Sequence, residues 1–302
     1  MNKDKFIPEE EYKKCAPTKE YTDGSCFNLK SLKKIANAYN NDIGKNSNKI
    51  INLELSKSEL VSEISKRISE CGINQLCWLD VDFVKNTRDN EILKNTFRPK
   101  GPQGRFKWLS TTDINQVIKQ YEEKYKDFKF FGAVPIDFEE LEFLGLHNLD
   151  FNELVDSGIT RIGMVINLDE SWKSGSHWVA LYADLDKYQI YYYDSYGIRP
   201  KLRIRKFIKK ISKWCYEKKI NKEFDLDEND FDIMDDTKKF YDKVIDIRYN
   251  KMQHQRGGSE CGVYSVNFIL RLLKGETFSD INKTRLDDNV VNECRKTYFR
   301  FE

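Results

Sequence analysis

The chain has 302 residues, 39% of them apolar and 13% aromatic, which is enough for a buried core and excludes a disordered polymer. Its 51 basic and 49 acidic side chains leave a formal charge of +2, which excludes a global pull toward nucleic acid and leaves only local patches. The opening MNKDKFIPEEEYKK is charged throughout, so no secretion signal is expected, and no stretch approaches the ~18 apolar residues of a membrane span.

Seven scattered cysteines in a chain expected to stay in a reducing compartment are read as free thiols. Cys15/Cys26 and Cys71/Cys77 show no Cys-x-x-Cys and no nearby histidine pair, so no structural metal is expected.

In chain order, SLKKIANAYN and SELVSEISKRI place Leu32, Ile35 and Ala36, then Leu60, Ile64 and Ile68, at helical spacing. Cys71-Gly72 follows as a helix stop. Residues 1–100 are therefore expected to form a mostly helical arm or accessory domain. The segment FRPKGPQGRFKW (97–108) holds two prolines and two glycines within six residues and marks a junction. Residues 101–302 are expected to form a second domain.

That domain opens with STTDINQVIKQYEEKY, where Ser110 and Asp113 fit a capping box and Ile114, Val117, Ile118 and Tyr121 form one face. RIGMVINL (161–168) reads as a strand, and HWVALYADLDKYQIYYYDS as a hairpin turning at DLDK. RPKLRIRKFIKKISKWCYEKK reads as an amphipathic helix with Ile204, Phe207, Ile208, Ile211 and Trp214 on one face. Eight acids in 222–236 suggest a solvated insertion over 222–240, and KVIDIRY (243–249) is a further strand. Strands and helices without regular βαβ alternation predict an α+β fold, a mixed central sheet flanked by helices.

The chain has three histidines. If the hairpin turn is centred between Leu185 and Asp186, His177 falls opposite Asp194, and cross-strand neighbours have Cβ atoms only ~4.5–5.5 Å apart. Such a carboxylate can fix the imidazole tautomer and stabilise its cation, although two polar residues at hairpin ends would fit the same spacing. A one-residue slip would break the pairing. Cys261 stands at the start of the apolar helix VYSVNFILRLL, where a thiolate nucleophile is favoured, and where a plain packing cysteine is also common. Gly257 and Gly258 allow a tight approach to it. Gln255, six residues upstream, is a candidate oxyanion donor alongside the Cys261 N–H, with Gln253 as its competitor. His254 is close in sequence but held by no fixed geometry, and His147 lacks a partner pattern.

Together SHW (176–178), YYYDS (191–195) and QRGGSECG (255–262) give the order His-Trp, Asp, Gln, Cys-Gly. This resembles the adenain-like and SUMO-specific cysteine proteases (clan CE), over roughly 105–275. The resemblance implies their fold, no cofactor and no metal. It makes Cys261 the nucleophile, His177 the general base, Asp194 its orienting carboxylate and Gln255 the oxyanion donor. WLSTTDI (108–114) is similar to the family's Trp-Leu-x-Asp element, with its aspartate displaced to Asp113. By that resemblance Trp108 and Trp178 clamp a Gly-Gly segment of the substrate, and Gly262 is a substrate contact beside the nucleophile.

The first hundred residues, with CAPTKEYTDGSCFNLKSLKKIANAYN, look more like the virion-maturation proteases of large nucleocytoplasmic DNA viruses. The implied activity is cleavage of core or capsid polyproteins after Gly-Gly sites, in the host cytoplasm (the viral factory) and the virion. The alternative is removal of SUMO or ubiquitin from host proteins, both of which end in Gly-Gly. A basic run within 201–213 is a candidate nucleic-acid contact, and no membrane partner is expected.

Overall fold

The computed structural model describes residues 13–44, 48–104, 106–221 and 244–300, so the acidic stretch 222–236 and the insertion expected over 222–240 lie outside the described residues. The chain divides into two compact units, one of Met1–Gly101 with Tyr298–Glu302 and the other of Pro102–Thr297.

In the first unit, α1 (Leu29–Ile43) is capped by Asn28, whose side chain accepts the Ser31 N–H. α2 (Lys57–Arg67) starts on a capping box in which Ser56 and Glu59 satisfy each other's backbone N–H. Both bury the faces read from the periodicity: Leu32, Ile35 and Ala36 in α1, and Leu60 and Ile64 in α2. Three single-turn helices follow, α3 (Gln75–Trp78), α4 (Asp82–Lys85) and α5 (Asn90–Leu93). The core gathers around Phe27, which stacks on Trp78 with ring centroids 6.1 Å apart and meets Phe97 edge-on at 5.2 Å.

The free-thiol expectation fails in this unit. Cys15 is bonded to Cys26 and Cys71 to Cys77, with Cα atoms 5.3 and 5.4 Å apart, within the usual disulfide range. Spacing alone could not reveal this, because the fold brings each pair together: Cys15 bridges to Phe97, and Cys71 lies in the turn that leads to α3. Cys215, Cys261 and Cys294 are free.

The second unit is built on a five-stranded sheet in the order β1 to β5: β1 (Phe128–Pro135), β2 (Arg161–Asn167), β3 (Trp178–Asp184), β4 (Gln189–Tyr193) and β5 (Asp246–Tyr249). The outer pairs are parallel and the inner pairs antiparallel, which is the mixed sheet expected. Every residue of β3 is buried, as suits a strand covered on both faces.

On one face Val179, Leu181 and Ala183 pack with Ile204, Phe207, Ile208 and Ile211 of α8 (Leu202–Ile220). On the other lies α9 (Cys261–Leu273), whose Phe268 stacks on Tyr193 at 4.7 Å. α6 (Thr111–Glu122) begins at the expected Ser110–Asp113 capping box, and α7 (Phe151–Asp156) precedes β2. Three short helices end the described chain: α10 (Phe278–Ile281), α11 (Asp288–Glu293) and α12 (Arg295–Tyr298). Among the described residues no helix is long and apolar enough to cross a membrane.

Candidate active site

The β3–β4 hairpin pairs Ala180 with Tyr193 through to Asp184 with Gln189, two residues out of step with the register that would set His177 opposite Asp194. The cause is the turn. It spans Leu185 to Tyr188, with Tyr188 at φ 54° and the Lys187 N–H donating to Asp184 Oδ1 at 3.0 Å. A two-residue displacement leaves every side chain on its original face, because strand side chains alternate with period two. His177 and Asp194 still meet, now diagonally: the imidazole Nε2 and Asp194 Oδ1 are 2.8 Å apart. Continued past its end, the ladder brings Tyr196 against His177. The two rings stack with centroids 4.8 Å apart.

Asp194 is 1% exposed and tightly fixed. Its Oδ1 also accepts the Tyr196 N–H at 2.8 Å. Its own N–H donates to Asn250 Oδ1 at 2.8 Å, while Asn250 Nδ2 donates to the Asp194 carbonyl at 2.6 Å. The buried Asn250 thus grips both backbone groups of the carboxylate residue. Burial works against a charged His177, but hydrogen bonds to Asp194 and Cys261 outweigh it and raise its pKa from 6.5 to about 9. With Nε2 committed to Asp194, Nδ1 is the ring nitrogen left to serve Cys261.

Cys261 is the first residue of α9 and 2% exposed. The first N–H groups of a helix lack intrahelical acceptors, so they offer donors to an anion forming at this point. Gln255 is fully buried, and its orientation is set by Ser195. The Ser195 hydroxyl donates to Gln255 Oε1 at 2.6 Å, and its carbonyl accepts the His254 and Gln255 N–H groups at 2.8 and 2.9 Å. The Gln255 NH₂ is therefore turned the other way. One of its hydrogens goes to the Gly257 carbonyl at 2.8 Å, leaving the second for another acceptor. Gln253 is exposed and donates to the Gln255 carbonyl at 3.0 Å, which removes it as an equal competitor.

Neither Gly257 nor Gly258 has a left-handed φ. A Cβ on Gly257 would stand 2.7 Å from Glu260 Oε2, whereas Gly258 faces open space. Gly257 is needed because a buried carboxylate lies against it. Glu260 accepts from Ser259 N and Oγ at 3.0 and 2.7 Å and from Asn292 Nδ2 at 3.2 Å. Arg295, 3% exposed, donates to Asn292 Oδ1 at 2.9 Å and to the Lys107 carbonyl at 2.6 Å. That chain links the loop before Cys261 to the segment that carries Trp108.

Trp178 donates its indole N–H to the Leu109 carbonyl at 3.0 Å. A Cβ on Gly262 would lie 3.0 Å from Leu109 Cβ and 3.3 Å from Trp178 Cδ1, so the helix that begins at Cys261 approaches both closely. Trp108 is 46% exposed and joins Trp178 in lining a groove of about 480 Å³. Asp113 is a helix cap, its carboxylate accepting from Ser110 N and Oγ at 2.8 and 2.7 Å.

The other histidines lie apart from this cluster. His254 is buried, accepts the Leu286 N–H on Nδ1 and faces Asn282 Oδ1 with Nε2, and burial depresses its pKa. His147 is exposed. Ser195, Tyr196, Asn250 and Arg295 escaped the sequence reading. Ser195 and Tyr196 adjoin Asp194, which is the one local signal that pointed to them.

Residues 162–301 match the model of the Ulp1 protease family, C-terminal catalytic domain. A protein of Acanthamoeba polyphaga mimivirus that carries a thiol-protease name is 34% identical, over 95% of this chain and 93% of its own length. The chain belongs to the Ulp1 protease family. It is a cysteine protease. A relative named SUMO-1 cysteine protease, from African swine fever virus, is 22% identical over 69% of this protease and 73% of its own length. The crystal structure of an African swine fever virus protease superimposes with a TM-score of 0.62 and 18% identity, covering 96% of each chain. That likeness extends the shared fold over nearly the whole protease.

Proposed function

We propose that this protease is a viral endopeptidase that cuts core or capsid polyprotein precursors after Gly-Gly pairs, with Cys261, His177 and Asp194 as its triad. The observation that carries the reading is His177, hydrogen-bonded to buried Asp194 and with its pKa raised in part by Cys261, which stands at a helix start. His177 Nδ1 takes the Cys261 proton, and the thiolate attacks the carbonyl carbon of the second glycine. The oxyanion is met by the Cys261 N–H and the remaining hydrogen of Gln255 Nε2. His177 then protonates the leaving amine, a water deprotonated by His177 attacks the thioester, and the thiol is restored.

The Gly-Gly preference is supported by the crowding of Leu109, Trp178 and Gly262 and by Trp108 across the same groove. Two indoles flanking the scissile bond would exclude a side chain larger than glycine's. The virus-encoded relatives support processing of virion precursors in the host cytoplasm and the virion.

The basic run 201–213 gains less support as a nucleic-acid contact. Arg203 pairs with Glu140 at 3.1 Å, Lys213 with Glu217 at 3.8 Å, and Lys210 with Glu139. Those cations are already engaged by the protein's own acids.

The test is mass spectrometry of candidate precursors incubated with wild type and with Cys261→Ala. Cleavage after Gly-Gly by the wild type alone is expected, and turnover by Cys261→Ala would overturn the mechanism. A second reading, release of a ubiquitin-like modifier ending in Gly-Gly, is favoured by the name of the African swine fever virus relative, a SUMO-1 cysteine protease. Ubiquitin and SUMO activity probes run beside the precursors separate the two.

A further inference from the structure

The whole sequence holds one Gly-Gly pair, Gly257-Gly258, followed by Ser259 and standing just before Cys261. The chain thus carries, in the loop that leads to its own nucleophile, the kind of bond that the reading above assigns to its substrates. Gly258 is exposed, and a Cβ on it would meet nothing within 4 Å. A second copy of the chain can therefore approach it.

The conformation of the loop is what withholds the bond. Residues 257–259 form a bend, whereas a peptide laid along a protease site is extended and advances ~3.3 Å per residue. Both sides of the bend are tied down next to Gly258. Upstream, the Asp288 carboxylate accepts the Arg256 N–H at 3.0 Å and the Gly257 N–H at 2.8 Å, and it is itself fixed by the Tyr264 hydroxyl at 2.8 Å. The Gly257 carbonyl accepts the Tyr196 hydroxyl at 3.1 Å and Gln255 Nε2 at 2.8 Å. Downstream, the Ser259 N–H and hydroxyl both donate to Glu260, which is 2% exposed. While these contacts stand, no extended stretch is free around the bond. Nor can a chain lie extended across a thiol that it carries two residues further on, so any cut is made by another copy.

We infer that the protease has a second, self-directed activity: it cuts another copy of itself between Gly258 and Ser259 when the loop held by Asp288 opens. The inference rests on the Gly-Gly reading given above. Cys261 of one copy attacks the Gly258 carbonyl carbon of the other, the C–N bond breaks, and His177 gives its proton to the Ser259 amine. Water then converts the thioester to a free Gly258 carboxylate and restores the thiol. The cut parts Gln255 from Cys261 in the copy that is cut, and so ends its activity. Its rate follows the population of opened loop, which Asp288 keeps small.

The experiment uses full-length Cys261→Ala as substrate and a small amount of wild type as enzyme. A Gly-Gly-Ser decapeptide in the same mixture measures activity. Cys261→Ala alone should be cut slowly. Adding Asp288→Ala to it should release the 259–302 fragment about tenfold faster or more, read by mass spectrometry, and adding Gly258→Ala as well should stop the release. Because an unfolded Asp288→Ala chain would be cut for a different reason, the wild type supplies a second measurement. Its activity should decay faster in proportion to its concentration, with 259–302 appearing in step, and Gly258→Ala should abolish both. A decapeptide that is cut while neither chain yields 259–302 would overturn the inference and leave the Gly-Gly reading standing. Release unchanged by Gly258→Ala would overturn both, and an uncut decapeptide would overturn the reading and the inference with it.

Discussion

Ser195 directs both of its polar groups at one stretch of chain, its hydroxyl to Gln255 Oε1 and its carbonyl to the His254 and Gln255 N–H groups. The hydroxyl contact decides which end of the Gln255 amide faces the site. In Ser195→Ala the carbonyl contacts persist, but the amide loses the partner that distinguishes its oxygen from its nitrogen. Because an oxyanion donor acts on the transition state, kcat should fall by roughly 10- to 100-fold with KM little changed, below the ~10²–10³ typical of losing the donor outright. Steady-state kinetics on a single peptide check this, and a rise in KM at constant kcat would assign Ser195 to substrate binding instead. Ser195 was not legible in advance because a serine beside an aspartate is common. Its role exists only once residues 195 and 255 are brought together. Cys261 and His177 could be singled out as candidates because a nucleophile and a base need particular residue types, and the chain offers few histidines.

At the scale of the element, the hairpin shows which part of a register argument survives an error. The turn was placed one residue too early, and the ladder moved by two. The face held, so the His177–Asp194 meeting held, while the stacking of Tyr196 on His177 could not be foreseen. The helices were legible where an amphipathic period and a cap agreed, as at Ser110–Asp113. The clamp of Asn250 on Asp194 was not, because it joins β4's end to residues beyond β5.

The hairpin also links protonation to stability. With a folded pKa of about 9 against the ordinary 6.5, His177 contributes stability that is complete below about pH 6.5 and is lost as the pH rises through 9. Asp194→Asn removes the charged acceptor and leaves the burial that disfavours the cation. Urea midpoints measured at both ends of that window should therefore fall less in Asp194→Asn than in wild type. Parallel losses in the two proteins would detach His177 from this linkage.

Across the whole molecule the cysteines divide by unit. Both disulfides, Cys15–Cys26 and Cys71–Cys77, lie in the Met1–Gly101 unit, and the three free thiols lie in Pro102–Thr297. The expectation of free thiols rested on the compartment inferred for the chain. That inference concerns the surroundings and carries no information about which sulfurs the fold brings within bonding distance. The division has a consequence for reduction. Loops closed at sequence separations of 11 and 6 are each worth roughly 2–3 kcal/mol through restriction of the unfolded chain. Reductant should therefore lower the unfolding transition of the first unit, while iodoacetamide still modifies Cys261 at an unchanged rate in the second. In denaturant without reductant, a thiol assay should count the three free cysteines, rising to all seven after reduction. Seven thiols before reduction would refute the pairing. An alkylation rate at Cys261 that falls with reduction would show instead that the first unit's crosslinks reach the active site.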